Sequence, residues 1–388
     1  MACLIPGLML ACLVLISPAV HAQSGYYVVP WLFVEGSYDD NIFFDTEDEV
    51  SDFITRVSPQ LDVGYDSANL SWLLSYRNDA EWYRDFSELD SSTARGFGLG
   101  QIDYTVNRRW SLRANTEYIQ SNSVQDLSLN PGGEIPGVVG RAEAQRMLLS
   151  GGSEYRFTPQ WIGNVDLTWI DDELEGFTEN ERLAATTRVE QVLTSARSLF
   201  YVYEYRDYEF REIPQDESDP VVTDQEDSHT LWIGLTQALT ESSRLELRAG
   251  PRFSDGDTEP YLLANWRRDY ARGNTTIEAL WDETTLLGEV GRLESKSIYG
   301  AWTHSFTNSF EVRTGAGFAR VEGTGYSSDI AYFDFFGEYR INPYIFLTAR
   351  YGFNDQDTAM GDPLGRITHN VASLYITFTR ARRDPQDS

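Results

Sequence analysis

Arginine supplies nearly all of the positive charge in this chain: of 31 basic residues, only Lys296 is a lysine. Arg56, Arg77, Arg113, Arg146, Arg248, Arg252, Arg267, Arg313 and Arg350 fall on the polar side of segments that alternate polar and apolar residues. A guanidinium stays charged in a protein and offers a planar fork of donors that fits a carboxylate or another oxyanion. Confined to one surface, such a row permits two chemistries: it can pass an anionic solute, or it can pair internally with Asp62, Asp103, Glu117, Asp166, Glu246 and Glu311. Both readings stay open at this level.

The other reactive side chains are few. Cys3 and Cys12 both lie in the first apolar run, so a mature chain without that run has no thiol for a disulfide, a thiolate metal site or a nucleophile. His229, His304 and His369 are far apart in sequence. His229 and His369 are expected to start strands beneath acidic loops, where either could meet a carboxylate. His304 falls on the apolar parity of its segment, near a turn. No serine or aspartate constellation accompanies any of them, so the chain reads as a non-enzyme with no cofactor and no metal site. A net charge of −29 argues against a nucleic-acid partner.

The elements that must carry these groups are strands. Phe53, Val57, Leu61, Val63 and Tyr65 share one parity, while Arg56, Ser58, Gln60 and Asp62 share the other; a period of two is the β signature. Trp110, Leu112, Ala114 and Tyr118 alternate against Ser111, Arg113, Asn115 and Glu117, and the rule recurs at 244–252, 310–318 and 331–340. Short turns are expected at 66–68, 107–108, 158–159, 241–242, 307–308 and 342–343, and longer acidic connections at 40–50, 124–140, 213–226 and 356–366. The segments between them exceed the roughly five or six residues of a soluble sandwich strand and reach the roughly nine to eleven that cross a bilayer at a tilt. These features predict an all-β chain, a transmembrane up-and-down antiparallel β-barrel of 18 strands, or of 16 if the weakly alternating stretches 182–196 and 260–274 are not strands. A mean hydropathy of −0.39 is compatible with this fold, because only alternate residues face lipid.

Residues 1–22 form an apolar run ending in Val20-His21-Ala22, which predicts a signal peptide cleaved before Gln23 and a single barrel domain over 23–388. The expected location is the cell outer membrane. The acids cluster at Asp45, Glu47, Asp48, Glu49 and Asp52, at Asp171, Asp172, Glu173, Glu175, Glu179 and Glu181, and at Asp216, Glu217, Asp219, Asp224, Glu226 and Asp227. We expect solvated extracellular loops there, beside outer-membrane lipid and lipopolysaccharide, with divalent cations as an alternative bridge to lipid phosphates.

Gly36-Ser37-Tyr38-Asp39-Asp40-Asn41-Ile42-Phe43, the following Ser51-Asp52-Phe53-Ile54-Thr55-Arg56-Val57-Ser58-Pro59, and the Tyr, Arg, Asp and aromatic cluster from Tyr76 to Tyr83 resemble the start of the β-barrel porin 2 family. The resemblance implies a proteobacterial outer-membrane barrel associated with exopolysaccharide loci, with a role in exporting or accommodating a secreted polysaccharide; the arginine row makes an anionic polysaccharide the expected substrate, and a periplasmic export partner is expected with it. A general small-solute porin and an adhesive surface barrel with acidic loops are the alternatives.

Overall fold

The computed structural model describes residues 25–380 apart from 47, 123–142, 177, 214–221, 255, 286–290, 324–325 and 361. Eighteen strands follow one another: β1 (Tyr26–Asp39), β2 (Asp52–Asp66), β3 (Leu70–Tyr83), β4 (Ser91–Asn107), β5 (Trp110–Ser121) and β6 (Ala144–Thr158). Next come β7 (Trp161–Leu174), β8 (Thr178–Thr194), β9 (Arg197–Glu212), β10 (Val222–Thr240), β11 (Ser243–Ser254) and β12 (Asp257–Tyr270). The last six are β13 (Gly273–Thr284), β14 (Leu293–Thr307), β15 (Phe310–Gly323), β16 (Tyr326–Asn342), β17 (Ile345–Met360) and β18 (Asp362–Thr379). Each pairs antiparallel with its sequence neighbours, and β1 closes the sheet by pairing with both β2 and β18. Closure leaves no edge strand, so every ladder has a partner.

Alternation sorts the side chains into two environments. On β2 the outward Phe53, Leu61 and Tyr65 oppose the inward Arg56, Ser58, Gln60 and Asp62, with Phe53 and Leu61 exposed and Ser58 buried. Exposed outward aromatics form a ring beside the short turns, including Trp110, Tyr155, Trp161, Phe306, Phe310 and Tyr339, and a second ring higher up, including Tyr38, Tyr76, Phe318 and Tyr351. Phe310 and Phe318 lie on one outer face of β15; at ~3.3 Å per residue and a tilt of ~40° they differ by about 20 Å in height. The apolar band between the rings fits a bilayer. Among the described residues no helix is long and apolar enough to cross one.

The stretches 182–196 and 260–274, whose alternation is weak, belong to β8, β12 and the start of β13, so the count is 18. Their turns, 195–196 and 271–272, carry no Pro, Asn or Asp. Three expected loops shift. Residues 222–226 are the start of β10, 356–360 the end of β17, and Asp171, Asp172, Glu173, Glu179 and Glu181 lie on β7 and β8 rather than in a loop. The physical reason is length. Strands of 14 to 19 residues overrun the bilayer on one side, and an extension in water accepts charge on both faces. Glu47, the region 124–140 and Asp216, Glu217 and Asp219 lie outside the described residues.

Candidate functional site

All nine arginines point into the lumen, but their surroundings differ with depth. Arg113, Arg267 and Arg313 stand four residues from a short turn, and their side chains are 66%, 55% and 58% exposed. Arg350, midway up β17, is also exposed. Arg248, as many residues from its short turn as Arg350, and Arg77, farther up, are partly covered. Arg56, Arg146 and Arg252, near the long-loop end, are buried to 11%, 10% and 0%. The lumen is therefore wide and wet beside the short turns and filled at the other end.

Eight of the nine have a carboxylate partner. Arg77–Asp79, Arg248–Glu246, Arg267–Asp269 and Arg313–Glu311 pair two residues apart on one strand face. Arg56 lies between Glu35 and Glu81 at 2.7 and 2.6 Å. Arg113 reaches Asp166 at 2.6 Å across β6. Gly152 makes that reach feasible, since a Cβ there would lie 2.1 Å from the Asp166 carboxylate and 2.8 Å from Arg113 Nε. Arg146 holds Asp172 through two bonds of 2.5 and 2.8 Å. Arg350 has no ion pair among the described residues. Asp62 takes its bonds from Trp31, Gln60 and Ser75 instead of an arginine.

The densest cluster contains residues that sequence pattern did not single out. Arg206 on β9 reaches Asp282 at 3.0 Å and Glu283 at 3.2 Å on β13, with three strands between them in the sheet. Arg252 holds the same two carboxylates at 2.9 and 3.4 Å and also pairs with Glu259. Tyr208 and Ser228 donate hydroxyls to Glu283 at 3.0 and 2.5 Å. Arg292, just before β14, reaches Glu283 at 3.2 Å and also pairs with Glu226. Burial in a low-dielectric site disfavours the Arg292 guanidinium charge, yet its bonds to Glu226 and Glu283 and their charges outweigh that and raise its pKa. We call this group the latch; it draws β9 to β13 together at the long-loop end.

Apolar groups fill the lumen beside it. Phe200, Val202, Trp232 and Tyr261 are buried together on the inner wall. Phe200 lies over Gly234, where a Cβ would come within 1.9 Å of its ring. Arg188 and Arg248 cap the cluster, at 4.1 Å from the Phe200 ring and 4.8 Å from the Trp232 ring. Leu293, Ala319, Val321 and Ile330 make a second buried cluster on β14–β16. A third joins Ile42 of the first loop to Ile54 and Tyr83, with Phe86 and Leu89 packed against it.

His229 and His369 meet carboxylates but do not begin strands. His369, buried within β18, bonds Asp39 at 2.8 Å beneath the Phe44 ring. His229, outward on β10, lies between Tyr203 and Asp227. Among the described residues no Ser, Thr or Cys bonds either imidazole, and no group of three or more His, Cys, Asp or Glu could hold a metal ion. His304 stacks on Trp302 in the ring beside the turns, a usual place for an amphipathic side chain.

No family model matches the chain, and no curated protein does. Among solved structures, a ferric enterobactin receptor (PfeA) from Pseudomonas aeruginosa covers 92% of this chain and 81% of its own at 8% identity and a TM-score of 0.47. The copper transporter OprC covers 94% and 82% at 10% identity and 0.46. The ferric-catecholate import receptor Fiu from E. coli K12 covers 94% and 82% at 9% and 0.47. At these identities and scores the likeness carries neither family nor function.

Proposed function

We propose that the chain is an outer-membrane channel for a polysaccharide, entered from the periplasm and restrained at its outer end by the latch. The observation that carries this reading is the solvated, polar lower lumen, with Arg113, Arg267, Arg313 and Arg350 exposed to it. A band of apolar residues between aromatic rings supports the membrane setting, and short turns on one side support a periplasmic face there. Sugar rings prefer a wall that offers both hydrogen bonds and flat apolar faces. Trp31 and Phe33, both inward on β1 and only partly buried, stack at 6.2 Å between ring centroids, with Trp31 Nε1 donating to Asp62. Arg313 over the inward Phe336 at 5.2 Å repeats the combination on β15 and β16, a few strands away.

Because eight of the nine arginines already hold carboxylates, the lower lumen offers mixed charge, and an anionic polymer would have to compete with Asp166, Asp269 and Glu311 for the same guanidinium groups. A hydrated polymer of modest charge fits better than a strongly anionic one. Planar-bilayer conductance tests the channel, and secretion tests the cargo. The intact chain is expected to conduct weakly and Arg252→Gln to conduct strongly; silence in both variants would sink the channel. Normal polysaccharide secretion from a deletion strain would sink the cargo and leave a small-solute porin.

A further inference from the structure

Eight of the nine lumen arginines are spent on carboxylates, but one patch of the inner wall holds its charges free. On β16 and β17, Asp334 faces Gly352, and Phe336 faces Arg350, so Asp334 and Arg350 are inward and diagonal to each other. Diagonal neighbours lie about 7–8 Å apart, within reach of a long side chain. Yet, among the described residues, the Asp334 carboxylate accepts no hydrogen bond, the Arg350 guanidinium donates none, and neither forms an ion pair. Glu338, diagonal to Arg350 on its other side, forms none either.

Two tyrosines adjoin this patch across a bare stretch of β15. Tyr299 of β14 and Tyr332 of β16 meet Gly317 from opposite sides, and their rings are near parallel, at 19° and 5.8 Å between centroids. A Cβ on Gly317 would come within 2.4 Å of the Tyr332 ring, and one on Gly315 within 2.5 Å of the Tyr299 hydroxyl and 2.6 Å of Asp334 Oδ1. Glycine at these two positions lets both rings settle against the wall. Neither hydroxyl has a hydrogen-bond partner among the described residues. On the other side of Asp334, a Cβ on Gly352 would have nothing within 4 Å, so a recess opens beside the carboxylate. Towards the long loops Tyr332 packs on Leu293, Ala319, Val321 and Ile330, all buried. The wet part of the lumen therefore ends, on this wall, at the tyrosines.

The chemistry of the patch selects its ligand. Arg350 can only donate hydrogen bonds, and an ionised Asp334 or Glu338 can only accept them. A hydroxyl does both. Neighbouring hydroxyls of one sugar ring can satisfy guanidinium and carboxylate together while the C–H face of the ring rests on tyrosine. A uronate would meet two carboxylates, and an amino sugar would bring its ammonium beside Arg350.

We propose that Asp334, Arg350, Tyr299 and Tyr332 form a subsite for one neutral pyranose residue, placed where the wet lumen ends. The choice of a sugar rests on the polysaccharide reading, but occupancy of the subsite does not require the barrel to conduct. Calorimetric titration of the intact barrel in detergent tests it, with neutral hexamers of α-linked glucose, β-linked glucose and β-linked mannose set against hexagalacturonate and hexaglucosamine. The best neutral hexamer is expected to bind about tenfold more tightly than either charged one, and to lose about tenfold in affinity with Asp334→Asn or Arg350→Gln. Tyr332→Leu is expected to weaken it by about fivefold. Asp334→Asn and Arg350→Gln remove no partner from the folded chain, so the urea midpoint should stay in place while affinity falls. Asn164→Ala, inward on β7, should change neither. No binding of any neutral hexamer, preference for a charged hexamer or for free phenylalanine, or affinity indifferent to Asp334→Asn and Arg350→Gln overturns the subsite. Binding with silent conductance would sink the channel alone; conductance and a secretion defect without binding would sink the subsite alone.

Discussion

Arg113 on β5 and Arg252 on β11 are the same residue type on the same inner face of the sheet, each paired with carboxylate, yet they belong to two different interiors. Arg113 stands 66% exposed with one partner, and Arg252 is 0% exposed with three. An ion pair in water is worth about 0–1 kcal/mol, because solvent and salt screen it and two long side chains must be held still. Removing one member of a buried network strands the other charges out of water and costs about 3–5 kcal/mol. Position along the barrel therefore divides the arginines into a solvated set that a solute can meet and a buried set that shapes the wall.

That division can be broken by experiment. Arg252→Ala should destabilise the barrel by about 3–5 kcal/mol in urea unfolding, against less than about 1 kcal/mol for Arg113→Ala. Equal losses would erase the distinction. Gly152→Val, which forces Arg113 and Asp166 apart, should cost about 1–3 kcal/mol by crowding the wall; a neutral result in the same titration would mean the pair relocates freely. Replacing Arg113, Arg313 and Arg350 together by Gln should leave the unfolding midpoint nearly unchanged and lower the anion-to-cation permeability ratio by roughly twofold. An unmoved reversal potential would show that the solvated set does not meet the ions.

The smallest effect is expected outside the apolar band. Burial, and then the charges of Glu179, Glu181, Asp172 and Glu173, raise the carboxyl pKa of Asp171. A carboxyl whose folded pKa lies above its unfolded value favours the protonated fold, so this contribution is fully present below the unfolded pKa and is lost as pH rises through the folded one. Asp171→Asn should thus stabilise the chain slightly at pH 7, and the advantage should vanish near pH 4. Thermal melts at the two pH values check it, and an advantage that persists at pH 4 would contradict this origin.

Much of the architecture was legible because it is local. The period of two in 53–65, 110–118 and 310–318 assigns each residue a face, and the structure keeps those faces. Asn, Asp or Pro marked five of the six expected short turns, 241–242 being Glu-Ser, while 195–196 and 271–272 lacked such residues and were placed by strand pairing. Loop boundaries were misread where β10 and β17 extend into water, since alternation carries no signal there. The lumen arginines were legible as inward, and internal pairing was one of the two readings their pattern allowed. Which partner each takes was not, because Arg113–Asp166 depends on Gly152 in an intervening strand.

What the chain determines by itself is a strand, its face and its neighbour, for these follow from alternation and from connections too short to cross over. The latch needed the closed barrel. Arg206 and Asp282 are 76 residues apart, and only the inward curvature of β9–β13 brings them within reach. Tyr299, Tyr332, Asp334 and Arg350 are visible in any reading of the sequence, but that they meet around Gly315, Gly317 and Gly352 depends on register, which tertiary structure alone decides.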